Sequence, residues 1–359
     1  MTDKKITVIG AGNSGLVMAS HLAYYGYNIC LWNRSEETIN KILKTKTIYL
    51  NGQITAKVKI SHVTTSIQEA LKDSEIILIT TPANSHYDLA KIIAPYIEKN
   101  SLIILNPGRT FGALEFLNTL ISENCKNIPS ICETQTIIYT CRKTAEDKVS
   151  LLAFKNSVLI SCINSKIEAI MGKLPNELQK YLKPTENFLQ TSLGNVGMIL
   201  HCAPVLLNTG WIENKKHKFR YYYEGITPSI ARFLEKIDNE RLAVASKFGV
   251  KIRSVSQWLN ESYGVHGKNL YESIQQVESY STIDAPESLM HRYLFEDICT
   301  GLVPIEALGK KLGLEMKNTS LIIDLATEML NYDFRFNGRN EEKLKLIDKN
   351  FNCLNIFKN

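Results

Sequence analysis

Ile6-Thr7-Val8-Ile9-Gly10-Ala11-Gly12-Asn13-Ser14-Gly15-Leu16 sets a short β-branched apolar run directly against a G-x-G-x-x-G pattern. Leu16 to Ala23 continues as a helix, so the glycines stand between a strand and a helix N-terminus, the setting in which this pattern binds dinucleotides. Gly10 allows the turn, Gly12 lets the backbone approach a pyrophosphate, and Gly15 lets helix and strand pack closely. The free N–H groups of Gly12, Asn13, Ser14 and Gly15 and the positive end of the helix dipole would then hold phosphate. Working outward, the flanking segments alternate strand and helix. The sequence therefore predicts an α/β chain: an N-terminal Rossmann-type doubly wound sheet followed by an all-helical C-terminal domain.

The second strand, Tyr27 to Trp32, ends in Asn33-Arg34-Ser35. Its end should lie over the adenine ribose, where NAD sites carry an acid for the ribose hydroxyls. An acid repels a 2′-phosphate, whereas a guanidinium pairs with one bidentately. Arg34, with Asn33 and Ser35 as polar neighbours, points to NADP. A solvated Arg34 with Ser35 capping a helix that carries Glu36 and Glu37 in its first turn is the plainer alternative. Those acids could equally serve the ribose of NAD, so NAD stays open.

The chain has 359 residues, 44% of them hydrophobic, and a net charge of +6 from 42 basic and 36 acidic side chains. That length suits two domains. No basic run is long enough to suggest nucleic acid, but a mild positive balance suits anionic ligands. Apolar runs such as Ile76 to Ile79 are strand-length, so no membrane span is expected. The first strand begins by Ile6, which leaves no room for a signal peptide and makes a cytoplasmic enzyme the expectation. Eight scattered cysteines never form C-x-x-C, and reduced thiols are expected. No spacing suggests a metal site.

Further strands are expected at Lys57–Ile60, Ser74–Thr80, Ser101–Leu105, Thr136–Tyr139, Ser150–Phe154 and Ser157–Ser161. Ligands of doubly wound sheets lie at the carboxyl ends of strands, which marks Thr81 and Pro82 after one strand and Gly108 after another as cofactor contacts. Simple turn chemistry explains the same prolines and glycine. Beyond Phe188 the pattern is helical. Thr227-Pro228 reads as an N-cap and first turn, and Ile230, Phe233, Leu234, Ile237, Val244, Ala245 and Phe248 form an apolar stripe at helical spacing. The dinucleotide-binding domain is placed at 1–187 and the helical domain at 188–359.

Two sites could carry chemistry. His201 interrupts the apolar segment Asn195 to Pro204, and His291 to Ile298 concentrates bases and acids before an apolar helix. Each alone reads as a structural histidine or a solvated face. Together with NVGMILHCAPVLLNTGWIE (195–213), EKIDNERLAVA (235–245) and HRYLFEDICTGLVP (291–304), they resemble the opine dehydrogenases, the octopine and nopaline dehydrogenase group, over nearly the whole chain.

The resemblance implies a His–Asp proton-transfer pair at His201 and Asp297, with Arg292 holding the keto-acid carboxylate. It also brings Gln135 and Cys141 near the substrate, a buried thiol being the alternative for Cys141. The family is expected to carry an Asn one helical turn before the His; Gly197 stands there instead, with Asn195 the nearest amide. The implied reaction condenses an α-keto acid, pyruvate or 2-oxoglutarate, with the amine of an amino acid and reduces the imine with NAD(P)H. Glycerol-3-phosphate dehydrogenase and ketopantoate reductase share the two-domain plan but use a catalytic lysine, absent from Asn106-Pro107-Gly108-Arg109. A non-catalytic NADPH-binding sensor is a further alternative. A homodimer is one arrangement the apolar helices leave open.

Overall fold

β-Branched and aliphatic runs that are apolar on every position cannot leave either face in water, and they become the central strands of a parallel sheet. In a computed structural model describing residues 4–346 except 215 and 217, the chain divides after Ser192 into two compact units. The strands of the first are β1 (Lys5–Ile9), β2 (Asn28–Trp32), β3 (Thr47–Gly52), β4 (Ala56–Lys59), β5 (His62–Thr64), β6 (Ser74–Ile79), β7 (Leu102–Leu105), β8 (Ser130–Thr134), β9 (Tyr139–Ala145), β10 (Lys148–Phe154), β11 (Val158–Cys162) and β12 (Leu182–Pro184). Eight of them form one sheet in the order β12-β11-β8-β7-β6-β1-β2-β5. All its neighbours pair in parallel except β11 against β8. β1 lies between β2 and β6, so the chain leaves it in both directions. That makes its carboxyl end the topological switch point of a Rossmann-type sheet.

A second sheet, β4-β3-β10-β9, packs over the Asn13–Tyr24 helix. The sequence reading placed a strand at Thr136–Tyr139, whereas β9 starts at Tyr139 and runs on through Cys141-Arg142-Lys143. Its alternating burial puts one half-buried face on polar residues, a pattern that hides from a search for apolar runs. The preceding backbone is used elsewhere: Gln135 N–H donates to Leu159 C=O at 2.9 Å and Ile138 C=O accepts from Lys155 N–H at 2.7 Å. The cysteine expectation also needs correction. Antiparallel pairing of β8 and β11 sets Cys132 directly opposite Cys162, and the two form a disulfide. Positions 30 residues apart acquire that register only in the folded sheet.

The second unit is built from helices. Among the described residues none is long and apolar enough to cross a membrane. Its hub is Pro228–Lys247, where Thr227 caps the N-terminus by accepting from Ile230 N–H. Every helix leaves orphan N–H groups at its start, and this hub satisfies them for three neighbours. Glu235 Oε1 accepts from Leu270 N–H at 3.0 Å, at the start of Leu270–Gln276. Asp238 Oδ2 accepts from Val255 N–H at 2.8 Å, at the start of Val255–Tyr263. Glu240 takes the N–H groups of Asn318 and Thr319, both at 2.8 Å, in the first turn of Lys317–Leu330. Asp238 also accepts from the buried Arg241 guanidinium at 2.8 and 2.6 Å, and Arg241 closes the backbone carbonyls of Leu193 and Arg253. The charged run at 235–245 is thus a set of carboxylates aimed at positive helix ends.

This predicts unequal costs for two truncations on the same helix. Asp238→Ala strands a buried arginine and should cost about 3–5 kcal/mol. Glu240→Ala removes a cap and should cost about 1–2 kcal/mol. Urea unfolding of both variants checks the order; equal small losses would contradict it.

Candidate active site

In the first unit the glycine turn follows β1 as a strained, tightly fitted corner. Gly10 has φ +104°, a conformation that L side chains rarely adopt. A Cβ on Gly15 would sit 1.8 Å from Gly10 C=O and 2.6 Å from Thr80 Oγ1, so helix and strand approach as closely as backbone allows. A Cβ on Gly12 would instead meet nothing within 4 Å. That open space, in front of the N-terminus of Asn13–Tyr24, is where a pyrophosphate needs the backbone bare. The residues present therefore fit a dinucleotide.

The surrounding loops close on this turn. Thr80 N–H and Oγ1 both donate to Ile9 C=O at 2.9 Å, and a Cβ on Gly10 would touch Thr81 Cγ2 at 3.0 Å. Pro82 is exposed beside it. Asn33 ties to the turn itself, with Oδ1 accepting from Ala11 N–H at 3.1 Å. Arg34 and Ser35 are exposed. Ser35 caps no helix, because the next one begins at Asn40. Asn13 and Ser14 face β9: Asn13 Oδ1 accepts from Lys143 N–H at 2.8 Å, and Ser14 bonds the Cys141 thiol, which burial pushes above its ordinary range.

Gly108, on the loop after β7, has no room for a side chain. A Cβ there would lie 2.4 Å from Glu133 Oε2. Glu133 is wholly buried and accepts from Ser192 Oγ at 2.5 Å, Thr191 Oγ1 at 2.8 Å and Ala113 N–H at 2.9 Å. Two lysines were missed by sequence reading. Lys143 Nζ donates to Ala11 C=O at 3.3 Å, and Lys155 Nζ to Thr136 Oγ1 at 3.4 Å. Burial pulls both below the usual lysine range, and Arg109 depresses Lys155 further. Lys143 lies on β9 and Lys155 directly follows β10.

In the second unit His201 lies within the helix Gly197–Leu207, one of whose other faces is apolar and buried. Pro204 sits inside that helix and has no N–H for Leu200 C=O. The buried Tyr221 hydroxyl fills the gap, donating to His201 C=O at 2.7 Å and lying 3.2 Å from Leu200 C=O. Asn195, read as the nearest amide, accepts through Oδ1 from Gly197 N–H at 3.2 Å and so orders the start of this helix.

The segment 291–302 brings the partner. His291 caps Arg292–Phe295 by accepting from Tyr293 N–H at 3.3 Å, and burial, then Arg292, hold it below the usual histidine range. Asp297 follows, and the chain then forms one π turn, Ile298–Leu302, a distortion that recurs at functional sites. Gly301 within it admits the His201 helix, since a Cβ there would lie 2.6 Å from Met198 Cβ.

Asp297 Oδ2 lies 2.8 Å from His201 Nδ1, with Asp297 fully buried and His201 16% exposed. The Tyr293 ring stacks on the imidazole at 3.9 Å and 9°. Tyr222 Oη lies 3.2 Å from Nε2. Arg292, 58% exposed, pairs with buried Glu296 at 2.8 Å. The structure thus brings His201 and Asp297 into contact, with Arg292 next in sequence to the Tyr293 that stacks on the imidazole, and Gly10 to Gly15, Asn33, Thr81 and Cys141 into another group. Gln135 and Gly108 lie on the strand-end loops of the first unit. Among the described residues no group of three or more His, Cys, Asp or Glu could hold a metal.

Comparison with known proteins separates the same two halves. Residues 5–135 match the N-terminus of NAD-dependent glycerol-3-phosphate dehydrogenase, and residues 184–330 match the alpha-helical domain of NAD/NADP octopine/nopaline dehydrogenase. Over 345 residues, 96% of this chain and 95% of the relative, it is 37% identical to an opine dehydrogenase of Arthrobacter sp. (strain 1C). Its fold is that of an octopine dehydrogenase solved with NADH and agmatine (TM-score 0.79, 19% identity, 95% of each chain). It is also that of a yersinopine dehydrogenase with NADP+ bound (TM-score 0.75, 15% identity, 100% of this chain and 99% of that one).

The crowded corner at Gly15 predicts that Gly15→Ala forces the turn open. NADPH binding should weaken about tenfold or more, with stability lower by about 1–3 kcal/mol. Fluorescence titration with NADPH checks this, and wild-type affinity would contradict the reading of the turn.

Proposed function

This chain belongs to the opine dehydrogenase family and is an NAD(P)-dependent oxidoreductase; we propose that it condenses an α-keto acid with the amine of an amino acid and reduces the resulting imine. Pyruvate and 2-oxoglutarate are the keto acids in view, and the product is a secondary amine with two carboxylates. The observation that carries the proposal is the His201–Asp297 contact, an imidazole held through Nδ1 by a carboxylate with no exposed surface.

A carboxylate bonded to Nδ1 fixes the tautomer and leaves Nε2 as the nitrogen that exchanges protons. His201 then serves the carbonyl oxygen of the keto acid, which must gain protons to leave as water. Asp297 steadies the charged imidazole without moving a proton itself. The stacked Tyr293 ring holds the imidazole plane. Arg292 is assigned to the keto-acid carboxylate. A guanidinium offers five donors in a fixed fork, so pairing with Glu296 leaves donors for a second acid. Gln135 and Cys141 are assigned to the substrate more loosely, through their place beside the strand-end loops.

The nicotinamide supplies the hydride when bound. Gly10, Gly12, Asn13, Ser14 and Gly15 would hold its pyrophosphate, with Thr81, Pro82 and Gly108 on the neighbouring loops. The exposed Arg34 favours the 2′-phosphate of NADP over NAD, while Asn33 and Ser35 flank it.

Nicotinamide oxidation should need keto acid and amino acid together and run faster with NADPH than with NADH. His201→Ala should lower turnover about 10²–10⁴-fold with NADPH affinity unchanged. Spectrophotometric assay against amino-acid and keto-acid panels, with product masses, checks both. Oxidation driven by a keto acid alone, or an active His201→Ala enzyme, would contradict the proposal.

A further inference from the structure

Both ring nitrogens of His201 are engaged: Nδ1 by Asp297 at 2.8 Å and Nε2 by Tyr222 Oη at 3.2 Å. The nitrogen that must serve the substrate is therefore covered by a phenol. Tyr222 is 5% exposed, and its ring stacks on Tyr280 at 4.0 Å and 15° and edge-on against Tyr221 at 4.9 Å. Tyr221 is itself anchored to the His201 backbone. A ring gripped in this way does not swing aside cheaply, because the packed side chains around it would have to move as well.

From this geometry we infer that Tyr222 is a proton relay, the group through which His201 reaches the substrate oxygen. The inference rests on the proposed proton-transfer role of His201. A phenol is suited to the task because its oxygen accepts while its hydroxyl donates, so it bonds Nε2 in either protonation state of the imidazole. The titratable groups around it are His201, Tyr221, Tyr263, Tyr280 and Tyr293, the last also hydrogen-bonded to its hydroxyl, with Asp297 beyond the imidazole. Burial foremost, and then Tyr293, raise the Tyr222 hydroxyl well above the ordinary tyrosine range. It therefore stays protonated and passes a proton on only as it receives one.

The step balances without an outside reagent. In the condensing direction the imidazolium N–H of His201 breaks as its proton goes to Tyr222 Oη. The Tyr222 O–H breaks as its own proton goes to the substrate oxygen, which leaves as water. His201 ends neutral, the phenol is regenerated, and Asp297 remains a carboxylate throughout.

The test is Tyr222→Phe in the full-length enzyme, which keeps the ring and its stacking and deletes only the oxygen. Single-turnover rates with NADPH, keto acid and amino acid are measured in mixtures of H2O and D2O, beside His201→Ala and the double variant. The relay predicts a loss of about 10²-fold or more for Tyr222→Phe with unchanged NADPH affinity and a folded enzyme whose Tm falls by only a few degrees. It predicts a double variant no slower than His201→Ala alone, since the two act as one unit. The isotope dependence should be curved in the wild type, where two protons move together, and linear in Tyr222→Phe.

An inactive His201→Ala enzyme beside a wild-type rate for Tyr222→Phe would overturn the relay and leave the His–Asp pair standing. A faster Tyr222→Phe enzyme would do the same, making the phenol an obstruction. An active His201→Ala enzyme would overturn the underlying reading as well. Should Tyr222→Phe fold poorly, 3-fluorotyrosine at position 222 keeps the shape with a more acidic hydroxyl. A changed rate there supports the relay, and an unchanged one overturns it.

Discussion

Burying a carboxylate without donors costs several kcal/mol, so a chain that places Asp297 entirely out of solvent must bring donors to it. The imidazole of His201 is one such donor, drawn from a helix 96 positions earlier in the chain. Much of the local backbone serves that meeting. Pro204 interrupts the His201 helix and Tyr221 takes up the exposed carbonyls. Gly301 strips the π turn of a side chain so that the two segments can touch. Tyr293, one turn before Asp297, lies flat against the ring it helps to orient. A proline, a glycine and two tyrosines thus surround the meeting of these two segments.

The rest of the helical unit is organised by the same physics at lower intensity. Glu235, Asp238 and Glu240 project from one helix onto the N-terminal N–H groups of three others. Each contact joins a full negative charge to a helix dipole and an unsatisfied donor. The charged run 235–245 thus serves the assembly of the unit. In the first unit the corresponding device is steric. Gly10 and Gly15 permit a strand, a turn and a helix to approach within distances that a methyl group would forbid, and Glu133 does for the β7 loop what the glycines do for the β1 turn.

How much of this was legible followed the range of the interactions. The glycine turn could be read because strand, turn and helix are contiguous and each glycine answers a local demand. The Pro228–Lys247 helix could be read from Thr227-Pro228 and a 3.6-residue stripe. His201 and Asp297 stood out only as oddities within apolar stretches; family resemblance, not spacing, paired them. Tyr222 and Lys143 gave no signal. Their neighbours are set by tertiary packing, and nothing in the run Tyr221-Tyr222-Tyr223 marks the middle tyrosine off from the other two. β9 was mislocated for a related reason, since its polar alternation belongs to a strand that covers a helix with one face only. The Cys132–Cys162 pairing depended on a strand register that no local pattern encodes.

The central claim is that a buried carboxylate holds the His201 imidazole in the tautomer that catalysis needs. Asp297→Asn tests it most directly, because the amide preserves size while removing the charge. The measurement is kcat for the coupled oxidation of NADPH by keto acid and amino acid, with NADPH affinity and thermal stability recorded alongside. The account predicts a fall of about 10³–10⁴-fold in kcat, as expected when a histidine loses its orienting acid, with NADPH affinity unchanged. A kcat within a few-fold of wild type, in a folded enzyme, would contradict it.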